Sequence, residues 1–459
     1  MALLCCSIAY AALIVFFLLT IGLVSLEWQG GFPPVLTFHK TVPDYNAVES
    51  HREHSTPGDT PALTNMHVLP GGAYWTGFRG ARRDGRYEEM PIRTNWPPEG
   101  LTPLWRQPIG GGYGSFAIAH GLAYTLEQRR DREAITAYDV RTGREVWIHE
   151  YPSRFEESMG GEGPRSTPTW DNGRLFVLGV MGDFHCLDAR RGEVLWSHQL
   201  LREHDAKNLY FGCSASPLVV NELVVVVGGE AEYALFAYDK LDGTLRWKSV
   251  GEKPAYVSPM FVELAGRVQL LAPSAHHAMG IDAVNGTVLW RFPWEVQHDL
   301  TIAQPVVLNS NQFVLSAGYN KGAALVQVDQ AESEFSAHQV WSSRFLKNKF
   351  TSSVLHKGYL YGLDESILTC LDASTGERQW KDGRYGYGQL LLASEHLIIL
   401  SGSGELALVR ATPERHVELG SFKAIEGKTW NHPAMGDGYL LVRNAVEMAC
   451  FDLAMRPQP

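Results

Sequence analysis

The chain has 459 residues, of which 45% are hydrophobic and 20% charged, with a net charge of −10 at pH 7. That acidic balance, without any basic run, excludes a nucleic-acid or anionic-lipid surface. At about 150 residues per domain the length alone predicts three domains, a prior that a continuous internal repeat overrides.

The N-terminal stretch, residues 2–26, carries no charge and is long enough to cross a hydrocarbon core as a helix. It is longer than a typical signal-peptide apolar region, and no small-residue cleavage site follows it. Residues 1–26 are therefore expected to form a membrane anchor or, as the alternative, a cleaved signal. No Lys or Arg precedes the stretch to set its orientation. Residues 27–72 are rich in Pro, His and Thr and weakly periodic, which predicts a linker.

From residue 73 to 459 one unit repeats. "AYDVRTGREVW" ends at Trp147, "CLDARRGEVLW" at Trp196, "AYDKLDGTLRW" at Trp247, "GIDAVNGTVLW" at Trp290 and "CLDASTGERQW" at Trp380. The equivalent aspartates, Asp139, Asp188, Asp239, Asp282, Asp329 and Asp372, recur at roughly 40 to 50 residues, the spacing of a propeller or solenoid. The Asp329 turn is lengthened before Trp341, and one motif is eroded, leaving Phe422 where Trp stands elsewhere. Within each unit, apolar and alternating runs between turn signals read as strands, and four strands per unit arranged radially give a propeller. Asp caps the turn through its side chain and Gly accepts the positive φ that the turn needs. A lone Trp strand at Trp105 lacks an Asp motif before it, and Asp452 lacks a Trp strand after it. Joined, they complete an eighth blade. The expected fold is all-β: an eight-bladed β-propeller of four-stranded antiparallel blades behind an N-terminal hydrophobic helix.

The repeat resembles the tryptophan-docking repeat of pyrroloquinoline-quinone-type (quinoprotein-like) propellers, and "WTGFRGARRDG" and "GGGYGSF" resemble the opening of such PQQ-like repeat proteins. The resemblance implies that Trp105, Trp147, Trp196, Trp247, Trp290, Trp341 and Trp380 are structural, packing between neighbouring blades with one N–H each to satisfy. It also implies two functions. One is a non-catalytic cell-envelope scaffold, similar in design to the outer-membrane assembly lipoprotein and monomeric, with protein partners on the periplasmic or extracytoplasmic side. The alternative is a PQQ-dependent dehydrogenase of alcohols or sugars. In such enzymes the quinone sits over the channel with a calcium ion held by Glu, Asn and Asp, stacked on a disulfide between adjacent cysteines. This chain's only adjacent pair, Cys5 and Cys6, lies in the apolar N-terminus. No cofactor, metal or catalytic residue is expected, with PQQ and calcium reserved for the alternative.

Cys186, Cys370 and Cys450 stand just before repeat aspartates and are expected, with Cys213, to be buried and unpaired. His276 and His277 point to opposite faces if on a strand and do not chelate one ion. The best site signal lies ahead of or within the first strand of each blade, where Tyr113, Glu162, Arg165, Tyr256, His298, Asn348, Lys349, Tyr387, Lys428, Trp430 and His432 cluster. These are expected to ring the channel mouth and to bind a ligand or partner.

Overall fold

The computed structural model describes residues 2–20, 25–27, 35–37, 42–54, 74–332 and 334–455. Eight successive sheets form the propeller. Blade 1 runs outward through strands Ala117–Ala119, Leu122–Arg129, Arg132–Asp139 and Glu145–Pro152. Blades 2 to 7 repeat this order from inner strands Thr169–Asp171, Leu218–Val220, Met260–Leu264, Val306–Val307, Val354–His356 and Gln389–Ala393. Blade 8 takes three strands from the C-terminal end and its outermost, Trp105–Pro108, from ahead of blade 1. Cys450 lies opposite Trp105 and Glu447 opposite Pro108, so the ring closes as the split motif predicts.

The repeat letters act at the blade seams. Asp139 Oδ1 accepts the N–H groups of Arg141 and Thr142 at 3.0 and 2.9 Å, and Asp372 takes those of Ser374 and Thr375 at 2.8 and 3.1 Å. The turn glycine, Gly143 at φ 72°, then lies flat on the Trp of the preceding blade; a Cβ there would stand 2.6 Å from the Trp105 ring. Nε1 of Trp105 donates to the Val140 carbonyl at 2.8 Å, and Trp147, Trp196, Trp247, Trp341 and Trp380 each reach a carbonyl of the next blade at 2.9 to 3.4 Å. Trp290 differs. The lengthened hairpin after it offers no glycine turn, so its N–H turns to Gln269 Oε1 of its own blade at 2.7 Å, while the ring meets Phe313 of blade 5. Phe422 fills the Trp place against Trp96 and below Gly100.

The expected linker contains structure. Ser25–Glu27 pairs with Val35–Thr37, and Tyr45–His54 is a helix whose Ala47 N–H is capped by Asp44. The helix lies over the seam between blades 8 and 1. Arg52 donates to Glu145 at 3.1 Å, Tyr138 at 2.9 Å and the Pro108 carbonyl at 3.2 Å; Glu49 pairs with Arg130, and Val48 is buried. A helix held by ion pairs and one apolar side chain leaves no hydrophobic stripe to read, which is why its periodicity is weak. At the N-terminus, Ala2–Thr20 is helical and Ser25–Glu27 is a strand, so no single helix runs through residues 2–26 as expected. Among the described residues no helix is long and apolar enough to cross a membrane.

A second N-terminal segment, Trp75–Tyr87, closes the channel from the end opposite the mouth. Trp75 bridges to Ile118 of blade 1, Trp170 of blade 2 donates to the Thr76 carbonyl, and Arg86–Tyr87 run parallel to Leu392–Ala393 of blade 7. Between these contacts, buried Arg79 donates to the Ser352 and Ser353 carbonyls, and buried Arg83 to those of Ser216, Pro217 and Pro259. Burial lowers Arg79 to about 10, against a smaller opposing pull from Asp84, and lowers Arg83, whose hydrogen-bond partners are all carbonyls, to about 9.

The seam of blades 8 and 1 holds buried charges of both signs, Arg443 and Glu127. Glu127 accepts from Tyr138 at 2.5 Å, from the Gly110 N–H at 2.7 Å and from Arg129 at 3.2 Å. Burial pushes its carboxyl up, but Arg129, Arg52 and Arg443 outweigh that and hold it at about 2. A depressed carboxylate stabilises the fold fully above its ordinary value and loses that contribution as pH falls through its folded value. Glu127→Gln, which strands these guanidiniums, is therefore expected to cost about 3–5 kcal/mol at pH 7. The gap to the unsubstituted protein should narrow as pH drops from about 5 towards 2, read by urea unfolding across that range. Arg52→Ala, which leaves Arg129 and Arg443 on Glu127, should lower the propeller's melting less than Glu127→Gln does, while exposing residues 45–54 to limited proteolysis.

Candidate functional site

Each blade's outer strand returns to the next inner strand over the same end of the ring. Side chains from these returns surround a cavity of about 670 Å³ whose floor is Phe78, carried up the channel by the Trp75–Tyr87 segment. Of the predicted mouth residues, Tyr113, Arg165, Tyr256, His298, Lys349, Trp430 and His432 line it. Four do not. Glu162 accepts a 2.6 Å hydrogen bond from Tyr45 of the seam helix. Asn348 is buried, taking hydrogen bonds from Ser316 and Ser353. Tyr387 packs behind the wall, its ring 5.4 Å from Phe350 and its hydroxyl 3.4 Å from Lys349 Nζ. Lys428 donates to the Gly160 carbonyl at 3.2 Å and lies 4.5 Å over Trp430.

Together these residues make a belt of rings and cations. Tyr113 stacks on Trp430 at 5.6 Å and 29°, Trp430 meets Phe350 at 4.8 Å, and Lys349 sits over Tyr387 and Tyr319 at 4.9 and 5.1 Å. Across the cavity Phe211 stands edge-on to Tyr256 at 5.5 Å. The charges are largely committed. Arg165 donates to the carbonyls of Gly161, Glu162 and Gly163, pairs with Glu157 at 3.2 Å and lies 4.9 Å over Tyr113. Burial lowers its pKa. It is a staple for the loop of residues 156–163 before it is a ligand for anything else. Lys253 pairs with Asp299 at 3.0 Å. Burial, with Arg79 nearby, holds His432 well below its ordinary pKa, so its ring is neutral and stands edge-on to Phe78 at 4.9 Å.

Sequence reasoning missed Phe78, Tyr210, Phe211, Tyr319, Phe350 and Gln389. It also missed a belt of hydrogen bonds whose signal was present. Ser115, Thr167, Ser216, Ser258, Gln304, Ser352, Gln389 and His432 hold one position in the eight inner-strand motifs. The Ser115 N–H donates to Thr167, Thr167 to Ser216, Ser216 to Ser258, Ser258 to Gln304 and Gln304 to Ser352, each at 2.9 or 3.0 Å to the side-chain oxygen. On the other side Ser115 Oγ donates to the His432 carbonyl at 2.7 Å. The recurrence of a small or amide acceptor at or just ahead of the start of seven of the eight inner strands, with His432 at the eighth, would have revealed it.

A family model described as outer membrane protein assembly factor BamB matches residues 131–382, more than half of the chain. The chain belongs to this family of PQQ-like repeat propellers. Among curated relatives, BamB of Moranella endobia is 21% identical over 296 residues, covering 60% of this chain and 71% of that protein. Polyvinylalcohol dehydrogenase of a Pseudomonas species is 24% identical over 247 residues, 46% of this chain but 35% of the enzyme. The crystal structure of BamB from Moraxella catarrhalis matches with a TM-score of 0.55 and 13% identity, covering 78% of this chain and 99% of that one. A quinohemoprotein alcohol dehydrogenase from Pseudomonas putida matches with a TM-score of 0.60 and 12% identity, over 84% and 82%. These likenesses establish the fold.

Arg165→Ala removes charge-assisted bonds from a single loop, a loss of roughly 1.5–3 kcal/mol per such bond in favourable cases. Amide exchange in residues 156–163 should rise by about tenfold or more, measured by hydrogen–deuterium exchange, with the inner strands unchanged.

Proposed function

We propose that this protein is a non-catalytic scaffold on the extracytoplasmic side of the envelope, tethered through residues 2–26, that captures a protein partner in the ring-lined mouth of its propeller. The observation that carries the reading is the blind cup itself: an aromatic wall, a floor made by Phe78, and charged pairs, Arg165 with Glu157 and Lys253 with Asp299, that hold one another. Aromatic rings of this kind supply large contact area at low entropic cost, which suits a polypeptide ligand. Similarity to BamB, whose name places it in outer membrane protein assembly, supports the compartment and the class of partner.

The dehydrogenase relatives raise the second reading, and the donor set argues against it. Calcium takes six to eight oxygens. At the cup Glu157 is spent on Arg165 and on the Met159 and Gly160 N–H groups, and Asp299 on Lys253. Among the described residues no three His, Cys, Asp or Glu side chains converge on a point that could hold a metal. Cys186, Cys213, Cys370 and Cys450 are buried, free and not adjacent in sequence, so they offer no counterpart to the stacked disulfide. The residues present do not fit a calcium-held quinone.

A photo-crosslinking residue at Tyr210, exposed on the rim, should trap a defined envelope protein in the producing cells, while one at Val284 on an outer turn should not. Equal trapping at both positions, or none, would remove the scaffold reading. Uptake of PQQ with calcium by the purified chain, together with dye reduction on adding an alcohol or aldose, would replace it with the dehydrogenase.

A further inference from the structure

The belt of N–H to side-chain hydrogen bonds around the inner strands runs through five of the eight seams and changes character at blade 7. At five seams the acceptor side chain receives the N–H of the preceding blade, as Gln304 Oε1 does from Ser258 at 2.9 Å. Gln389 is the equivalent residue of blade 7 and has lost that role. Its Nε2 donates to the Phe350 carbonyl at 3.2 Å and the Trp430 carbonyl at 3.0 Å, which fixes the amide and leaves Oε1 as the face turned elsewhere. Gln389 is 1% exposed, and Oε1 has no hydrogen-bond partner. Among the described residues that line the cavity, no other carries a buried side-chain polar atom in this state. A buried acceptor left unpaired is costly, and a donor supplied by a ligand in the cavity would relieve that cost.

The surroundings say what kind of donor. The two residues whose carbonyls hold Gln389 are themselves aromatic, with Phe350 and Trp430 at 4.8 Å and 47°. Phe78 closes the floor, and His432 beside it is neutral. A neutral donor suits the site better than a charged one, which would lose its water among the rings, since of the cavity's carboxylates Glu157 and Asp299 are already paired with Arg165 and Lys253. A flat ring bearing a single O–H or N–H meets both demands, burying its faces on the aromatic walls while its polar edge pairs with Oε1.

We propose that the base of the cup is a binding site for a donor-bearing aromatic ring, a phenol or an indole, with Gln389 Oε1 as its acceptor. The ring's owner is a tyrosine or tryptophan of a partner polypeptide; this assignment of the owner rests on the scaffold reading, whereas the chemistry of the site does not.

The test uses the purified full chain titrated with 4-methylphenol, toluene and 4-methylanisole, followed by calorimetry. Toluene lacks the hydroxyl and 4-methylanisole replaces its proton with a methyl group, so the pair brackets the phenol in size. 4-Methylphenol should bind about tenfold or more tightly than either. Gln389→Leu should abolish that preference, and Phe350→Ala should weaken all three ligands together. Equal affinity for the three, absence of saturable 4-methylphenol binding, or a preference that survives in Gln389→Leu would overturn the site. The comparison in the unsubstituted protein decides the matter even if Gln389→Leu does not fold. N-acetyltyrosinamide should compete with 4-methylphenol; binding of the phenol alone would transfer the site to a free small molecule and overturn the owner. Failure of crosslinking at Tyr210 with the phenol preference intact would remove the scaffold reading and leave the site standing.

Discussion

The pairing of Trp105–Pro108 with Glu447–Asp452 is the constraint on which the rest of the molecule depends. Eight sheets that each bury one face on a neighbour leave two faces uncovered until the first and last meet. The seam where they meet is accordingly the most heavily reinforced. Arg443 of blade 8 donates to Thr125, Leu126 and Gly110, Glu127 is held by guanidiniums from both sides, and the Tyr45–His54 helix lies across the outside. Apolar packing joins the ends as well, since Ile118, Ala123 and Val140 of blade 1 share one buried cluster with Leu440, Met448 and Phe451 of blade 8, and the polar groups add fixed geometry to it.

The blades were legible because each repeated residue acts locally. Asp caps the turn, Gly yields its Cβ space, and Trp covers the glycine of the next turn. Where one of these roles changed, the sequence also showed it, as at Phe422 and at the stretched turn after Asp329. The seam helix was not legible, since Arg52, Glu49 and Tyr45 find their partners around a hundred residues away and a polar decapeptide carries no period of its own. The channel-closing segment escaped for the same reason. Arg79 and Arg83 satisfy themselves on backbone carbonyls, which leave no trace in residue type.

The mouth was legible in location and only partly in chemistry. Polar residues stood out in the sequence, yet Glu162, Asn348 and Arg165 are engaged in building loops, and the surface they frame is made of rings. Phe350 and Gln389 belong to the same inner-strand stretches and do not stand out there, because a single Phe or Gln in a strand is ordinary. Their meaning comes from alignment with seven equivalents and from one oxygen that the alignment leaves without a partner.

The segment that stoppers the channel bears on how the chain is made. Trp75–Tyr87 leaves the ribosome before any blade, yet its contacts reach inner strands of blades 1, 2, 3, 4, 6 and 7. It must therefore wait, with two arginines solvated, while several hundred residues are synthesised, and it can seat only when nearly the whole ring exists. A chain interrupted before blade 8 would keep a raw sheet edge and leave Trp105–Pro108 without its partner strand. Such a product is open to proteases until its last sheet forms, so resistance to cleavage arrives late in synthesis and all at once.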